Sequence, residues 1–488
     1  MAKKVSLNSG RIKITSNQRK GEASPIFYFP LDEMVRNMKS KRRQSLRRDA
    51  RAIFRAGLDA VHASEAVYRY MKIEKKKGRE FLLCGKQRIS LDETGRIIVL
   101  GAGKASSQMA RAVERRLGNR IDVGVVVTQY GYTEKCRHIE ILEASHPVPD
   151  IAGLEASRKI EKLATNARKE DLVIFLLSGG GSALMPAPAP GIFLEDKQSA
   201  TNSLLRAGAP IEALNCVRKH LSDLKGGNLA RKVFPARMIV LLVSDVIGDP
   251  LDVIGSGPAV GDSSTFSQAK AYLLSYGVYC EMPETIKKRI EAGCRGEIPD
   301  TPAPGDKIFR RVSHHVVANN KVALRAAYEK AKSKGYNVKV QTDSLHGEAK
   351  DAGRSIAEDA KGISINLPKK NLSQCLLYGG ETTVKVLGNG VGGRCQELAL
   401  SFAIEIGGHE SICLLAAGTD GRDGPTEAAG GIVDGRTVKR AQNQGLDPNA
   451  YLHDNNSHDF LRRLDSCVHT GPSGTNVMDL VILLLNNG

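Results

Sequence analysis

Charged side chains follow several of the apolar runs in this sequence, and most of them lie in glycine-rich loops. Lys104 follows the run 96–100 across a Gly-Ala-Gly turn, and Arg394 ends the loop GNGVGGR at 388–394. Carboxylates occupy corresponding loops at Asp245, Asp249, Glu381, Asp420 and Asp423. Phosphoryl transfer requires such a set, because cations stabilise the transferring group and carboxylates hold Mg²⁺. The sequence therefore indicates a site that handles phosphate, with Asp245 and Asp249 as expected metal ligands and Asp420 as an alternative.

A second glycine cluster follows the run 172–177. Its members, which we expect to cradle a phosphate or a substrate carboxylate with their amides, are Ser178, Gly179, Gly180, Gly181 and Ser182. Asn319, Glu381 and Asp420 are also predicted to bind substrate or phosphate. Glycine accounts for 49 of 488 residues, and the surplus lies largely in these loops. Because ligands bind at the carboxyl ends of strands in open α/β sheets, we expect the loops to line one cleft.

Two common nucleotide-binding motifs are missing from the sequence. There is no G-x-x-x-x-G-K-[ST] sequence, and therefore no Walker-type P-loop. The turn at 101–106 has Ser106 where a dinucleotide fingerprint has its third glycine, and no acidic residue ends a second strand about 20 residues on. Nicotinamide binding is therefore disfavoured but stays open.

The cysteines and the apolar segments indicate the compartment. Nine cysteines are dispersed without a CxxC pair or a zinc-binding spacing, which predicts reduced thiols in a cytoplasmic protein. The start of the chain lacks the apolar stretch of a secretory signal, although its basic character leaves an organelle transit peptide open. The uncharged stretch 172–194 could span a bilayer by length, but three consecutive glycines and three prolines cannot continue a helix. We predict a buried strand and a loop there, and no transmembrane helix.

Short runs rich in Val, Ile and Leu recur along the chain, and most lack the two-residue alternation of half-exposed strands. They lie at 96–100, 123–128, 172–177, 238–243, 314–318, 337–341, 375–378, 412–417 and 480–485. Stretches with helical periodicity separate several of them, which predicts an α/β protein with mainly parallel, Rossmann-like sheets. The stretch 296–306, rich in proline and charge, suggests a boundary between a first α/β domain at 45–300 and a second at 307–488.

Much of the net charge of +18 lies near the start of the chain. Residues 1–60 contain 15 Lys+Arg and 5 Asp+Glu, a net +10. Helical periodicity begins near Leu46, so residues 1–44 are predicted to form a flexible basic extension. Nucleic-acid binding by this extension is an alternative function, but no aromatic residues interleave with the Lys and Arg of 36–51, which disfavours it.

Three further polar residues stay open between a functional and a structural role. His146 in SHPVPD could touch a substrate or simply cap its loop. Arg218 and Lys225 are predicted to lie on a helix, where a salt-bridged surface is the alternative to a role in the site.

Taken together, the motifs resemble those of the class II glycerate kinases, which combine a glycerate-kinase N-terminal domain with a MOFRL-type C-terminal domain. The resemblance runs from about residue 46 to 485. It is carried by VLGAGKAS (99–106), SHPVPD (145–150), LLSGGGSALMPAP (176–188), LNCVRKHLSDLKGGNLA (214–230), VSDVIGDPLDVIGSGP (243–258), GGETTV (379–384), GGRCQELAL (392–400), GTDGRDGPTEAAG (418–430) and TGPSGTNVMDL (470–480).

The resemblance implies ATP-dependent phosphorylation of D-glycerate, with Mg²⁺, to 2-phosphoglycerate in a cleft between the two domains. It places the family's catalytic lysine at Lys104, its essential arginine at Arg394 and its acidic position at Asp245. Members of the family have also been labelled hydroxypyruvate reductases, so NAD(P)H-dependent reduction is the alternative. The expected partners are D-glycerate and ATP, with no membrane. The sequence does not fix the oligomeric state, for which a homodimer is one alternative.

Overall fold

The computed structural model describes residues 3–8, 11–16, 27–366 and 373–486, with side chains described over 45–364 and 373–486. Near the start, an antiparallel sheet contains the strands β1 (Lys3–Asn8), β2 (Arg11–Ser16) and β3 (Phe27–Pro30). Helix α1 (Leu31–Ala60) follows, so it begins fifteen residues before the predicted start at Leu46. We predicted that residues 1–44 are flexible. The side chains of these residues and several of their backbone segments lie outside the described residues, so this stays a prediction.

The first large sheet is wholly parallel and has six strands in the order β12-β11-β10-β7-β8-β9. It is preceded by α2 (Ala63–Tyr70) and by a small antiparallel sheet of β4 (Met71–Lys76), β5 (Arg79–Cys84) and β6 (Gln87–Ser90). Its strands are β7 (Ile97–Ala102), β8 (Val123–Gln129), β9 (Glu140–Ala144), β10 (Leu172–Leu177), β11 (Arg237–Val243) and β12 (Val312–Ala318). The accompanying helices are α3 (Ser106–Leu117), α4 (Ile151–Thr165), α5 (Gly181–Leu184), α6 (Leu194–Arg206), α7 (Ile211–His220), α8 (Asn228–Val233), α9 (Phe266–Ser275) and α10 (Glu284–Cys294).

The second large sheet is mixed and has the order β13-β14-β18-β15-β16-β17. Its strands are β13 (Asn337–Leu345), β14 (Gln374–Gly380), β15 (Ile412–Gly418), β16 (Gly430–Asp434), β17 (Cys467–Val468) and β18 (Asp479–Leu485). The helices here are α11 (Asn320–Ser333), α12 (Ala349–Asn366), α13 (Arg394–Glu405), α14 (Thr437–Gln442), α15 (Pro448–His453) and α16 (Ser457–Arg463). Strand β18 runs antiparallel to both of its neighbours, β14 and β15.

The predicted α/β class is confirmed; eight of the nine predicted apolar runs lie within strands, and the run 96–100 begins one residue before β7. Every residue of β7, β10, β15 and β18 is buried, as expected for strands covered on both faces. Burial of each Val, Leu or Ile contributes about 1.5–3 kcal/mol, so these strands hold their carboxyl-terminal loops on a rigid frame. Among the described residues, no helix is long and apolar enough to cross a membrane.

Two elements cross the domain boundaries predicted from the sequence. Strand β12 lies beyond the stretch 296–306 but pairs with β11 in the first sheet. Helix α1 precedes the first sheet in the chain yet packs against the second: Arg47 Nε lies 2.6 Å from Asp434 Oδ2, and the Tyr336 hydroxyl donates to Asp49 at 3.0 Å. The sequence of an amphipathic helix does not specify which sheet the helix packs against. The packing of α1 on the second sheet was therefore not predictable from its position in the chain.

Candidate active site

Lys104 is fixed at the end of β7 by contacts between two neighbouring loops. Its amide donates to the carbonyl of Gly179 at 2.9 Å, and the amide of Ala105 donates to Ser178 Oγ at 3.0 Å. Gly103 has φ +142°, and a Cβ there would overlap the Ser178 hydroxyl, so only glycine allows this approach. Ser178 is buried, and its hydroxyl therefore positions the Lys104 loop.

The glycines of 178–182 make room for charged and polar side chains. A Cβ on Gly179 would overlap Asp245 Oδ2. Gly180 is left-handed at φ +82°, and a Cβ there would lie 2.8 Å from His146 Cδ2 and 3.3 Å from Lys104 Cγ. The amides of Gly179 and Gly180 donate no hydrogen bond to any described residue, which leaves them available to an anion.

The other two members of this loop, Gly181 and Ser182, make contacts that support the packing of the loop. A Cβ on Gly181 would lie 2.8 Å from Leu177 Cδ1, so this glycine permits close packing under the loop. Ser182 Oγ lies 3.0 Å from Ser256 Oγ.

Asp245, Asp249 and Asn319 follow the next two strands at the same edge of the sheet. Asp249 accepts a hydrogen bond of 2.6 Å from Asn319 Nδ2, while Asn319 Oδ1 accepts from the amide of Val322 and caps α11. Both polar atoms of the Asn319 side chain are thus engaged within the protein. Burial raises the pKa of Asp245, and the negative charge of Asp420 raises it further, against the lowering effect of Lys104.

The second sheet brings Glu381, Asp420 and Asp479 to one edge. Gly380 at the end of β14 and Gly418 at the end of β15 both pair with Asp479, the first residue of β18. Because β18 is antiparallel to its neighbours, its first residue lies where the other two strands end. Sequence reasoning did not select Asp479, since it took its candidate carboxylates from loops that follow a strand.

Arg394, the first residue of α13, is held by two of these carboxylates. Its Nε and one terminal nitrogen donate to Asp479 at 2.6 and 2.8 Å, and its other terminal nitrogen lies 3.0 Å from Glu381 Oε1. Burial lowers the pKa of Arg394, but the hydrogen bonds and charge of Asp479 outweigh it, so the net shift is upward. Since a guanidinium has five N–H donors, these contacts orient it and leave two donors for a ligand.

Asp423, which the sequence placed among the candidate carboxylates, has a structural role. It accepts hydrogen bonds from the amides of Cys395 and Gln396 at 3.1 and 2.8 Å, in the first turn of α13. Burial raises its pKa to about 6. Asp423 therefore anchors the helix that presents Arg394.

The two sheet edges face each other across one cleft. Asn476, just before β18, has its Nδ2 3.4 Å from Asp245 Oδ2, and a Cβ on Gly474 would overlap the side chain of Gln108 on α3. Burial raises the pKa of Asp420, whereas the positive charges of Arg394 and Lys104 lower it. Asp420 therefore lies within electrostatic range of the predicted lysine of the first sheet and of the predicted arginine of the second.

The carboxylates fit a magnesium ion only in combination with a ligand. Within the described parts of the chain, no group of three or more His, Cys, Asp or Glu side chains could hold a metal alone. Mg²⁺ commonly takes one or two carboxylates, with waters and substrate phosphates completing its shell. The repulsion between Asp420 and Asp245 matches such a site, because a shared cation would relieve it. Asp249, the other metal ligand predicted from the sequence, accepts a hydrogen bond from Asn319 at one of its two oxygens and stays a predicted ligand.

Comparisons with known proteins show which families and enzymes the chain is similar to. Residues 49–291 match a family described as a domain of unknown function, DUF4147, and residues 374–479 match the MOFRL family. The chain is 45% identical over 399 residues to a D-glycerate 2-kinase of Thermotoga maritima, covering 82% of this chain and 92% of the relative. A glycerate 2-kinase of Pyrococcus horikoshii is 38% identical over 430 residues, covering 88% and 96%.

A solved structure supports the same assignment. The crystal structure of a glycerate kinase from Thermotoga maritima superimposes with a TM-score of 0.80 at 42% identity, covering 91% of this chain and 100% of that one. The fold and the paired domains define a two-domain α/β protein with its candidate site between two sheet edges. The chain belongs to the class II glycerate kinase family.

Proposed function

We propose that this chain transfers the γ-phosphoryl group of ATP to the 2-hydroxyl of D-glycerate, giving 2-phosphoglycerate and ADP. The observation that carries the proposal is the meeting of the two sheet edges at Asp245 and Asn476, whose side chains lie 3.4 Å apart, with Lys104 on the first edge and the oriented Arg394 on the second. A loose phosphoryl-transfer transition state spreads negative charge over three oxygens, so two positioned cations are the groups it requires.

Each residue of the candidate site then has a defined part in positioning the phosphoryl group. Lys104 and the two oriented donors of Arg394 contact the transferring group, and the amides of Gly179 and Gly180 bind phosphate oxygens. Asp479 and Glu381 hold the guanidinium in place. Little help is needed to remove the hydroxyl proton when the transition state is loose.

Asp245 and Asp420 are the carboxylates that would hold Mg²⁺. The ion would supply charge neutralisation on the nucleotide phosphates. Because the shell requires nucleotide phosphates, cation binding is measured as the further rise in thermal midpoint that Mg²⁺ gives in the presence of ADP, which the wild-type protein should show and Asp245→Asn should not.

A coupled assay of ADP release with D-glycerate tests the proposal. Lys104→Met and Arg394→Met should each lower kcat by about 10²-fold or more, because each removes a charged contact to the transition state. Lys169→Met is the matched control: Lys169 is exposed and lies just before β10, at the opposite edge of the sheet. Near-wild-type kcat in Lys104→Met or Arg394→Met would contradict the assigned roles.

The alternative, hydroxypyruvate reduction, is separated by a second measurement on the same preparation. NADH oxidation in the presence of hydroxypyruvate, without ADP release from D-glycerate, would favour the reductase. We expect the opposite pattern, since the loop after β7 presents Lys104 and has Ser106 in place of the third glycine of a dinucleotide site.

A further inference from the structure

A cavity of about 350 Å³ beside the candidate site contains three cations that pair with no carboxylate among the described side chains. They are Lys197 on α6, Arg218 on α7 and Lys225 in the turn before α8. Lys197 and Lys225 are 6% and 1% exposed, and Arg218 is half-buried. Lys225 thus lies in a buried turn, contrary to the prediction of a helix, and neither Arg218 nor Lys225 is part of a salt-bridged surface.

The charges around these three side chains are positive. Burial lowers the pKa of Lys197, and Lys225, Arg218 and Arg289 lower it further. Burial, followed by the charge of Arg218, also lowers the pKa of Lys225. Within the described residues, the ammonium groups donate only to backbone carbonyls: Lys197 Nζ to Pro186 at 2.5 Å and Lys225 Nζ to Met185 at 2.6 Å.

Lys219, one residue after Arg218, shows how the same region neutralises a buried lysine. Lys219 Nζ lies 3.2 Å from Asp262 Oδ1, and both side chains are buried. A buried charge without such a partner is costly and is kept where a ligand completes it. The contrast with Lys219 indicates that Lys197, Arg218 and Lys225 form a binding site for an anionic ligand.

The cavity opens onto the phosphate-handling loop. His146, Gly180 and Ser182 line it together with the three cations. His146 and Gly180 also lie beside Lys104. The carbonyls that accept from Lys225 and Lys197 belong to Met185 and Pro186, directly after α5, so the cations are tied to the end of this same loop.

We propose that this cavity is the acceptor subsite, in which Lys197, Arg218 and Lys225 bind the carboxylate of the hydroxy acid. The proposal rests on the proposed kinase function and deepens it by assigning the carboxylate. In a 2-hydroxy acid the carboxylate and the reacting hydroxyl are on adjacent carbons. A carboxylate at these cations therefore places the hydroxyl toward Lys104 and the amides of Gly179 and Gly180.

A nucleotide phosphate also carries anionic oxygens and could bind these three cations. Steady-state kinetics can distinguish binding of the glycerate carboxylate from binding of a nucleotide phosphate. In Lys225→Met and Arg218→Met, KM for D-glycerate should rise about tenfold to hundredfold, because each loses a charge-assisted hydrogen bond, while KM for ATP changes less than about twofold. Arg206→Met is the matched control, since Arg206 is exposed at the end of α6 and does not line the cavity. A rise in KM for ATP instead, or no rise in KM for D-glycerate, would overturn the proposal.

Direct binding distinguishes failure of this subsite from failure of the kinase function. D-glycerate without nucleotide should raise the thermal midpoint of the wild-type protein and not that of Lys225→Met. If wild type releases no ADP yet shows this shift, the kinase proposal fails and the carboxylate site stands. If wild type is active but its glycerate-induced shift persists in both Lys225→Met and Arg218→Met, the carboxylate site is refuted.

Discussion

Replacing Lys225 by Met should stabilise the protein, and the gain should depend on pH. Burial lowers the pKa of this ammonium from 10.5 to about 7. The folded-state pKa of Lys225 is below its unfolded-state pKa, so burying the charged ammonium lowers the free energy of unfolding. This destabilisation is absent above about pH 10.5, grows as the pH falls, and is complete below about pH 7. At 1.36 kcal/mol per unit, the full cost of keeping the charge is about 5 kcal/mol below pH 7 and about 2 kcal/mol at pH 9.

Lys225→Met removes this cost but leaves the carbonyl of Met185 without its donor, which costs about 1–3 kcal/mol at any pH. The net gain in the free energy of unfolding is then about 2–4 kcal/mol at pH 6. The pH-independent loss cancels on comparison, so the gain should be about 3 kcal/mol larger at pH 6 than at pH 9. Urea unfolding at the two pH values, followed by circular dichroism, measures this difference.

Lys219→Met is the control for this measurement, because Lys219 is also buried but paired with Asp262. Removing one partner of a buried pair should destabilise the protein by about 3–5 kcal/mol. If Lys225→Met is instead less stable than wild type at both pH values, with no change between them, Lys225 is a structural residue and the reasoning is refuted.

Three further outcomes follow from the same geometry. KM for D-glycerate should stay constant below about pH 7 and rise above it, because Lys225 loses its proton there; a pH profile of KM that is flat to pH 9 would contradict this. Asp479→Asn should lower kcat about tenfold, since Arg394 then keeps only Glu381 as a charged partner, and steady-state kinetics will show whether kcat rather than KM changes. Gly179→Ala should displace Asp245, so it should lose most activity while circular dichroism shows a folded protein; normal activity would mean that the overlap is relieved elsewhere.

The loops after parallel strands were predictable from the sequence. Lys104 and Asp245 each follow a buried strand and Asn319 follows a half-buried one, and parallel strands must end at one edge of their sheet, which the structure confirms for β7, β11 and β12. The glycines between strand and charge indicated where the backbone makes close approaches.

The missed residues share a different cause. Asp479 begins a strand, and its place in the cleft depends on β18 being antiparallel, a direction that an apolar run does not encode. Lys197 was not selected and Lys225 was left open between two roles, because what distinguishes these lysines is that no carboxylate of the described residues pairs with them, and that depends on the fold. The sequence shows which charged residues are present, but whether each of them has an oppositely charged partner depends on the fold.

The position of the phosphate on the product tests the central claim most directly. Wild-type protein incubated with ATP, Mg²⁺ and D-glycerate should release ADP and a phosphoglycerate whose ³¹P resonance couples to the proton on carbon 2. Lys104→Met and Arg394→Met should form this product at least about 10²-fold more slowly, while Lys169→Met forms it at the wild-type rate. Absence of a phosphoglycerate, or coupling to the carbon 3 protons, would contradict the account.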